Sequence, residues 1–61
     1  IENLSLSEAI RRLPERERNI VQLRFFEGKT QMEVAREIHI SQAQVSRLEK
    51  NALESMKNYL A

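Results

Sequence analysis

The sequence predicts an all-α fold, a compact four-helix domain that contains a helix-turn-helix. Apolar residues recur at three- and four-residue intervals, and helix-capping residues precede three of the four periodic stretches. The 61 residues include one glycine and one proline, too few turn formers for an all-β fold. We interpret residues 1–61 as a single domain, and because the chain starts at Ile1 we expect it to be a piece of a longer polypeptide.

A capping residue, a proline and a glycine delimit the first two helices. Ser5 has a glutamate three residues later, which is the spacing of a capping box. Pro14 stops the first helix and suits the first turn of the second, which we predict over Glu15 to about Phe26. Gly28 then ends the second helix, because glycine adopts the left-handed conformation without strain.

Two further capping signals delimit the last two helices. Thr30 opens a short helix that we predict to end at Ile38, and Ser41 caps a long fourth helix that reaches about Tyr59. The spacing of the apolar residues of the fourth helix predicts its buried face, which consists of Val45, Leu48, Ala52, Met56 and Tyr59.

Residues 30–59 have the outline of a helix-turn-helix. Ala35 is small where the two helices approach, Ile40 inserts the turn into the core, and Val45 anchors the second helix. The residues that then face outward at the start of the fourth helix are Gln42, Ala43, Gln44, Ser46 and Arg47. Glutamine and arginine side chains pair with adenine and guanine edges in a major groove. An ordinary solvated surface is the alternative, and the net charge of only +1 favours it.

The composition argues against catalysis, metal binding and membrane contact. The chain has no cysteine, and the single His39 cannot form a metal site by itself. No glycine-rich phosphate loop, paired carboxylates or histidine–nucleophile spacing is present, so we expect neither an enzyme nor a cofactor. The apolar runs are too short to span a membrane.

Two runs of the sequence carry a family resemblance, GKTQMEVAREI at 28–38 and ISQAQVSRLEK at 40–50. Together with Arg16, Glu17 and residues 20–26, they resemble region 4 of bacterial sigma factors, and the resemblance extends from Leu13 to Leu60. It is closest to the sporulation and general-stress branch, such as sigma-G and sigma-F. The resemblance implies a cytoplasmic, nucleoid-associated domain that recognises the promoter −35 element and packs on the β-subunit flap of RNA polymerase. An anti-sigma factor is a further implied partner.

The resemblance also assigns roles to individual residues. The base-contacting positions are Gln42, Ala43, Ser46 and Arg47. The positions that contact the DNA backbone are Arg16, Arg24, Thr30, Gln31, Gln44 and Lys50. We expect Arg47 to contact guanine and Gln42 to contact adenine. For Arg24 the alternative is a side chain that covers the apolar surface of Phe25 and Phe26.

The sequence departs from the family pattern at the turn and in the recognition helix. Primary sigma factors carry an acidic residue at the position of Ala43 and an arginine at that of Ser46, so we expect a −35 preference unlike theirs. His39 stands where glycine is usual, and a positive φ would be less favourable for histidine. For Glu49 we expect an ion pair with Arg36 rather than a DNA contact.

A protein-binding function is the main alternative to promoter recognition. In that interpretation the chain is chiefly a module captured by an anti-sigma factor, and its apolar docking residues are Leu6, Phe25, Phe26 and Met32. Leu4 is a further exposed apolar candidate. A third interpretation, the DNA-binding half of a response regulator, fits the run at 40–50 poorly.

Overall fold

The computed structural model describes residues 4–60, so residues 1–3 and 61 of the predicted domain lie outside the described part. The helices are α1 (Leu6–Arg11), α2 (Glu15–Val21), α3 (Gln31–Ile38) and α4 (Gln42–Leu60), and α2 continues directly into a π-helical segment (Gln22–Phe26). No strand occurs among residues 4–60. The prediction of an all-α domain with four helical segments is therefore confirmed.

The 19-residue helix α4 is the element against which α1, α2 and α3 all pack. Its buried face forms as predicted, because Val45 and Ala52 are fully buried while Leu48, Met56 and Tyr59 are half-buried. At the far end, the backbone N–H of Leu4 donates to the carbonyl oxygen of Tyr59 at 3.2 Å. The helix thus packs on the other three along its length, with the predicted base-contacting residues at its N-terminal end.

The core consists of two apolar clusters along α4. The first holds the helix-turn-helix together, with Ile20, Val34, Ala35 and Val45 buried and Leu23, Ile38, Ile40 and Leu48 packed around them. The second joins α1, α2 and the C-terminal half of α4 through Leu13, Val21 and Ala52, with Ile10, Met56 and Tyr59 beside them. The neighbouring residues Ile20 and Val21 belong to different clusters, so α2 connects the two.

The turn between α3 and α4 has the geometry that the sequence suggested. His39 is in the left-handed conformation, with φ 59° and ψ 45°. The N–H of Ile40 donates to the carbonyl oxygen of Ala35 at 3.1 Å, and the Ile40 side chain packs on the first cluster. The N–H of His39 donates to the same Ala35 carbonyl oxygen, so a left-handed residue ends α3 at a position where glycine is usual. Ser41 Oγ then accepts the Gln44 N–H at 3.1 Å and caps α4.

The end of the second helix differs from the prediction of a regular α-helix to Phe26. The N–H of Glu27 donates to the carbonyl oxygen of Gln22, five residues earlier, at 3.1 Å. Gly28 then turns the chain at φ 72°, and the N–H of Lys29 donates to the carbonyl oxygen of Leu23 at 2.9 Å. The wider turn accommodates one extra residue, and π-helical turns of this kind occur often at functional sites.

The start of the second helix also needs a correction. Pro14 occupies the N-cap position rather than the first helical turn, and its carbonyl oxygen accepts the Arg18 N–H at 2.9 Å. The first helix ends at Arg11, two residues before the buried Leu13. Proline still separates the two helices, because it cannot donate a backbone hydrogen bond to the preceding turn.

Candidate nucleic-acid interface

The N-terminal end of α4 presents a row of exposed side chains over a buried anchor. Val45 is fully buried against α3, and the five predicted DNA-contacting residues next to it are exposed. These residues are Gln42, Ala43, Gln44, Ser46 and Arg47. The first turn of α4 contains no acidic residue, so the positive end of its helix dipole is not offset there. The arrangement leaves amide, hydroxyl and guanidinium groups available to a ligand.

The start of α3 forms the capping box that the spacing of Thr30 and Glu33 predicts. Thr30 Oγ1 accepts the Glu33 N–H at 3.1 Å, and the Thr30 N–H donates to Glu33 Oε1 at 2.8 Å, which completes a capping box. Hydrogen bonds from the backbone and then the side chain of Thr30 hold the pKa of Glu33 below its ordinary value. Because this carboxylate faces the positive end of α3, it opposes anion binding there. The start of α4 is the more favourable of the two for a phosphate.

Arg24 is half-buried, because its side chain bonds to other parts of the domain. Its Nε donates to Glu49 Oε1 at 2.6 Å, and its Nη1 donates to the carbonyl oxygen of Lys29 at 2.9 Å. The guanidinium carbon lies 5.6 Å from the centre of the Phe25 ring, within the range of a cation–π contact. The expected Glu49–Arg36 pair is therefore wrong. Arg36 lies on the exposed face of α3, whereas Arg24 combines the carboxylate with a loop carbonyl and an aromatic face.

Two open grooves lie at opposite ends of α3. At its start, a groove of about 320 Å³ brings together Gln31, Ser46 and Lys50, three of the predicted DNA-contacting residues. At its end, a groove of about 390 Å³ is lined by Arg16 and Ile38. Arg16 and Lys50 are both exposed, so a cationic side chain is available on each side of the helix-turn-helix.

The predicted apolar docking residues are all exposed. Their exposed fractions are 50% for Leu6, 51% for Phe25, 57% for Phe26 and 56% for Met32. Phe25 and Phe26 lie together in the π-helical segment, whereas Leu6 is on α1. Leu4 is half-buried.

The sequence interpretation missed Leu53, which is 43% exposed and lines the groove beside Lys50. Its exposure could have been predicted, because Leu53 lies outside the apolar stripe of α4, between Lys50 and Glu54.

Other site classes find no support in the described residues. Nowhere in residues 4–60 do three or more histidine or acidic side chains converge as metal ligands. None of the helices over the same range combines the length and apolar character needed to cross a membrane.

Comparison with known proteins identifies the family. The family model for sigma-70, region 4 matches residues 9–58. The RNA polymerase sigma-G factor of Bacillus subtilis is 66% identical over 56 residues, 92% of this chain and 22% of that protein. The sigma-G factor of Clostridium acetobutylicum is 60% identical over 60 residues, 98% of this chain and 23% of that protein. The sigma-F factor of Bacillus licheniformis is 52% identical over 59 residues, 97% of this chain and 23% of that protein.

The chain spans less than a quarter of the length of these relatives. No solved structure matches it. The family match covers most of the chain, and it includes all of α3 and α4 up to residue 58. The chain belongs to the sigma-70 region 4 family.

Proposed function

We propose that this chain recognises the −35 element of bacterial promoters, as part of a sigma factor bound to RNA polymerase in the cytoplasm. The observation that carries the proposal is the exposed row Gln42, Ala43, Ser46 and Arg47 on the first turns of α4, above the buried Val45. A helix held in this way can enter a major groove with its N-terminal residues toward the bases. The similarity to sigma-G and sigma-F factors supports sporulation genes as the targets.

The residue types of this row suggest how it distinguishes bases. Arg47 can donate two hydrogen bonds to guanine, and Gln42 can exchange two with adenine; each such pair contributes about 1–3 kcal/mol of discrimination. Ala43 offers a methyl group that can contact the methyl group of thymine. Ser46 carries one short hydroxyl group, which can donate to or accept from either kind of base.

Contacts to the DNA backbone fix the orientation of this helix without reading sequence. We assign this role to Arg16, Arg24, Gln31, Gln44 and Lys50. Thr30 is left out of this set, because its N–H and its hydroxyl oxygen are already hydrogen-bonded to Glu33. Arg16, Arg24 and Lys50 are the cations of that set, so binding neutralises few phosphates and releases few counterions. The isolated chain should therefore bind promoter DNA weakly at physiological salt. Attachment to RNA polymerase raises the effective concentration of the domain at the promoter and compensates for the few contacts.

Docking on the polymerase requires a second surface. We assign it to the exposed apolar residues Leu6, Phe25, Phe26 and Met32, with the β-subunit flap as the partner. Phe25 and Phe26 are neighbours in the chain and both are more than half exposed, and an exposed apolar patch supports a site of protein contact. Apolar docking and polar DNA contact then use different side chains of the same chain.

Transcription in vitro from a promoter library with a randomised −35 element tests the proposal. The full-length sigma factor is compared with its Gln42→Ala and Arg47→Ala variants in holoenzyme. Each variant should lose discrimination at one base position while the rest of the selected −35 sequence stays the same. If both variants select the same −35 sequences as the wild type, the proposed base contacts are wrong.

The exposure of Phe25 and Phe26 supports a second candidate function, capture by an anti-sigma factor that covers the docking surface. Phe26→Ala should weaken binding to polymerase or to such a regulator, and Arg47→Ala should alter only the choice of promoter. Binding of core polymerase to the two full-length variants separates the two surfaces. Equal losses of polymerase binding in both variants would contradict this division.

A further inference from the structure

Glu49 of α4 lies at the junction of three elements. Its Oε1 accepts from Arg24 Nε in the π-helical segment at 2.6 Å and from Gln31 Nε2 at the start of α3 at 3.4 Å. Its side chain is only 13% exposed, whereas Glu54, the next carboxylate along α4, is exposed. One carboxylate therefore connects the π-helical segment, α3 and α4 through side chains.

The contact with Glu49 restricts the Arg24 side chain but uses only part of its capacity to donate hydrogen bonds. A guanidinium group carries five N–H donors in a rigid plane. Glu49 takes one of them and the carbonyl oxygen of Lys29 takes another, while the Phe25 ring supports the plane. The Arg24 side chain remains 27% exposed. Among residues 4–60 no further partner occupies its other donors, so they remain able to bind an anion.

We infer that Glu49 is a positioning residue for promoter binding, which holds the Arg24 guanidinium in the orientation that receives a DNA phosphate. An arginine that is fixed before binding loses less side-chain freedom when it meets the phosphate, so more of the contact energy remains as affinity. The inference rests on the proposed function and adds a residue that does not itself contact DNA.

Simple electrostatics gives the opposite expectation. A carboxylate near phosphates repels them, so neutralising it should strengthen DNA binding. If Glu49 positions Arg24, neutralising it weakens binding instead. Glu54 provides the matched control, because it lines the same groove and carries the same charge, and no hydrogen bond joins it to Arg24.

The experiment measures promoter binding by holoenzyme over a range of salt concentrations. The full-length sigma factor carries Glu49→Gln, Glu54→Gln, Arg24→Ala, or Glu49→Gln together with Arg24→Ala. Glu49→Gln should lower promoter affinity by about threefold to tenfold. It should also reduce the salt-dependence slope by about one unit, as expected for the loss of one phosphate contact. Glu54→Gln should leave affinity unchanged or raise it, and with Arg24→Ala already present Glu49→Gln should add no further loss.

Two results would overturn the inference. One is a Glu49→Gln variant that binds as tightly as the wild type or more tightly. The other is a loss that persists in full in the Arg24→Ala background, because Glu49 would then act through something other than Arg24. Arg47→Ala in the same assay tests the proposed function separately. If Arg47→Ala changes the preferred −35 sequence while Glu49→Gln has no effect, only the inference fails. If Arg47→Ala leaves −35 selection intact, the proposed base contacts themselves fail.

Discussion

The backbone N–H of Ile40 donates to the carbonyl oxygen of Ala35 at 3.1 Å, and this bond closes the turn of the helix-turn-helix. The bond forms because His39, the residue directly before Ile40, is in the left-handed conformation. The angle between α3 and α4, and hence the direction of the DNA-contacting row, depends on a conformation that glycine adopts more easily than histidine.

We therefore predict that His39→Gly stabilises the domain by up to about 1 kcal/mol, because glycine removes the steric cost of positive φ. The measurement is thermal unfolding, in which this gain corresponds to about 4–8 °C for a domain of this size. His39→Ala is the control, since it removes the imidazole but retains the β-carbon, and it should give no gain. An unchanged or lower melting temperature for His39→Gly would refute the prediction.

Loss of the α3 capping box should destabilise the domain. Thr30→Ala removes the oxygen that accepts the Glu33 N–H, and such changes cost about 0.5–2 kcal/mol. Urea unfolding at pH 7 measures the effect. Ser7→Ala is a matched control, because Ser7 lies within α1 rather than at its cap and is exposed. Equal stabilities of the two variants would mean that the α3 cap contributes nothing.

The same cap predicts a dependence of stability on pH. The folded state lowers the pKa of Glu33, so this group stabilises the fold above its unfolded pKa of about 4.3, and the contribution disappears as pH falls through the lower folded value. Urea midpoints at pH 7 and pH 3 should differ less in Glu33→Gln than in the wild type, because glutamine does not titrate. The same difference in both proteins would argue against this linkage.

Truncation of two nearby side chains on α4 should change the free energy of unfolding by very different amounts. Val45→Ala creates a cavity beneath the DNA-contacting row and should cost about 1.5–4 kcal/mol. Arg47→Ala, two residues later on the exposed face, should change stability by less than about 0.5 kcal/mol. Unfolding of both variants in urea is the measurement. A large destabilisation by Arg47→Ala would show that this side chain is needed for folding and would weaken its assignment to DNA.

The sequence was sufficient to predict features that depend on local chemistry. The caps at Ser5, Thr30 and Ser41, the stop at Gly28 and the buried stripe of α4 all follow from residue type and spacing, and the structure confirms them. The exposure of the row from Gln42 to Arg47 follows from the same periodicity.

Features that depend on contacts distant in sequence could not be predicted. The π-helical turn has no periodicity signal of its own, since an apolar stripe is compatible with either kind of turn. The partner of Glu49 is 25 residues away in the sequence, and Arg24 was favoured over Arg36 by the Lys29 carbonyl group and the Phe25 ring. The positions of this carbonyl group and this ring both depend on the path of the chain through the π-helical segment and the Gly28 turn.

The position of α4 in both apolar clusters has a mechanical consequence. The helix that carries Gln42 and Arg47 is the same rigid rod that ends at Tyr59, about 21 Å beyond Val45 at 1.5 Å per residue. A protein that binds the C-terminal end of α4 and tilts the helix also displaces its N-terminal end. Docking at the C-terminal end thus changes the orientation of Gln42 and Arg47 relative to the major groove of DNA, without any contact near the bases.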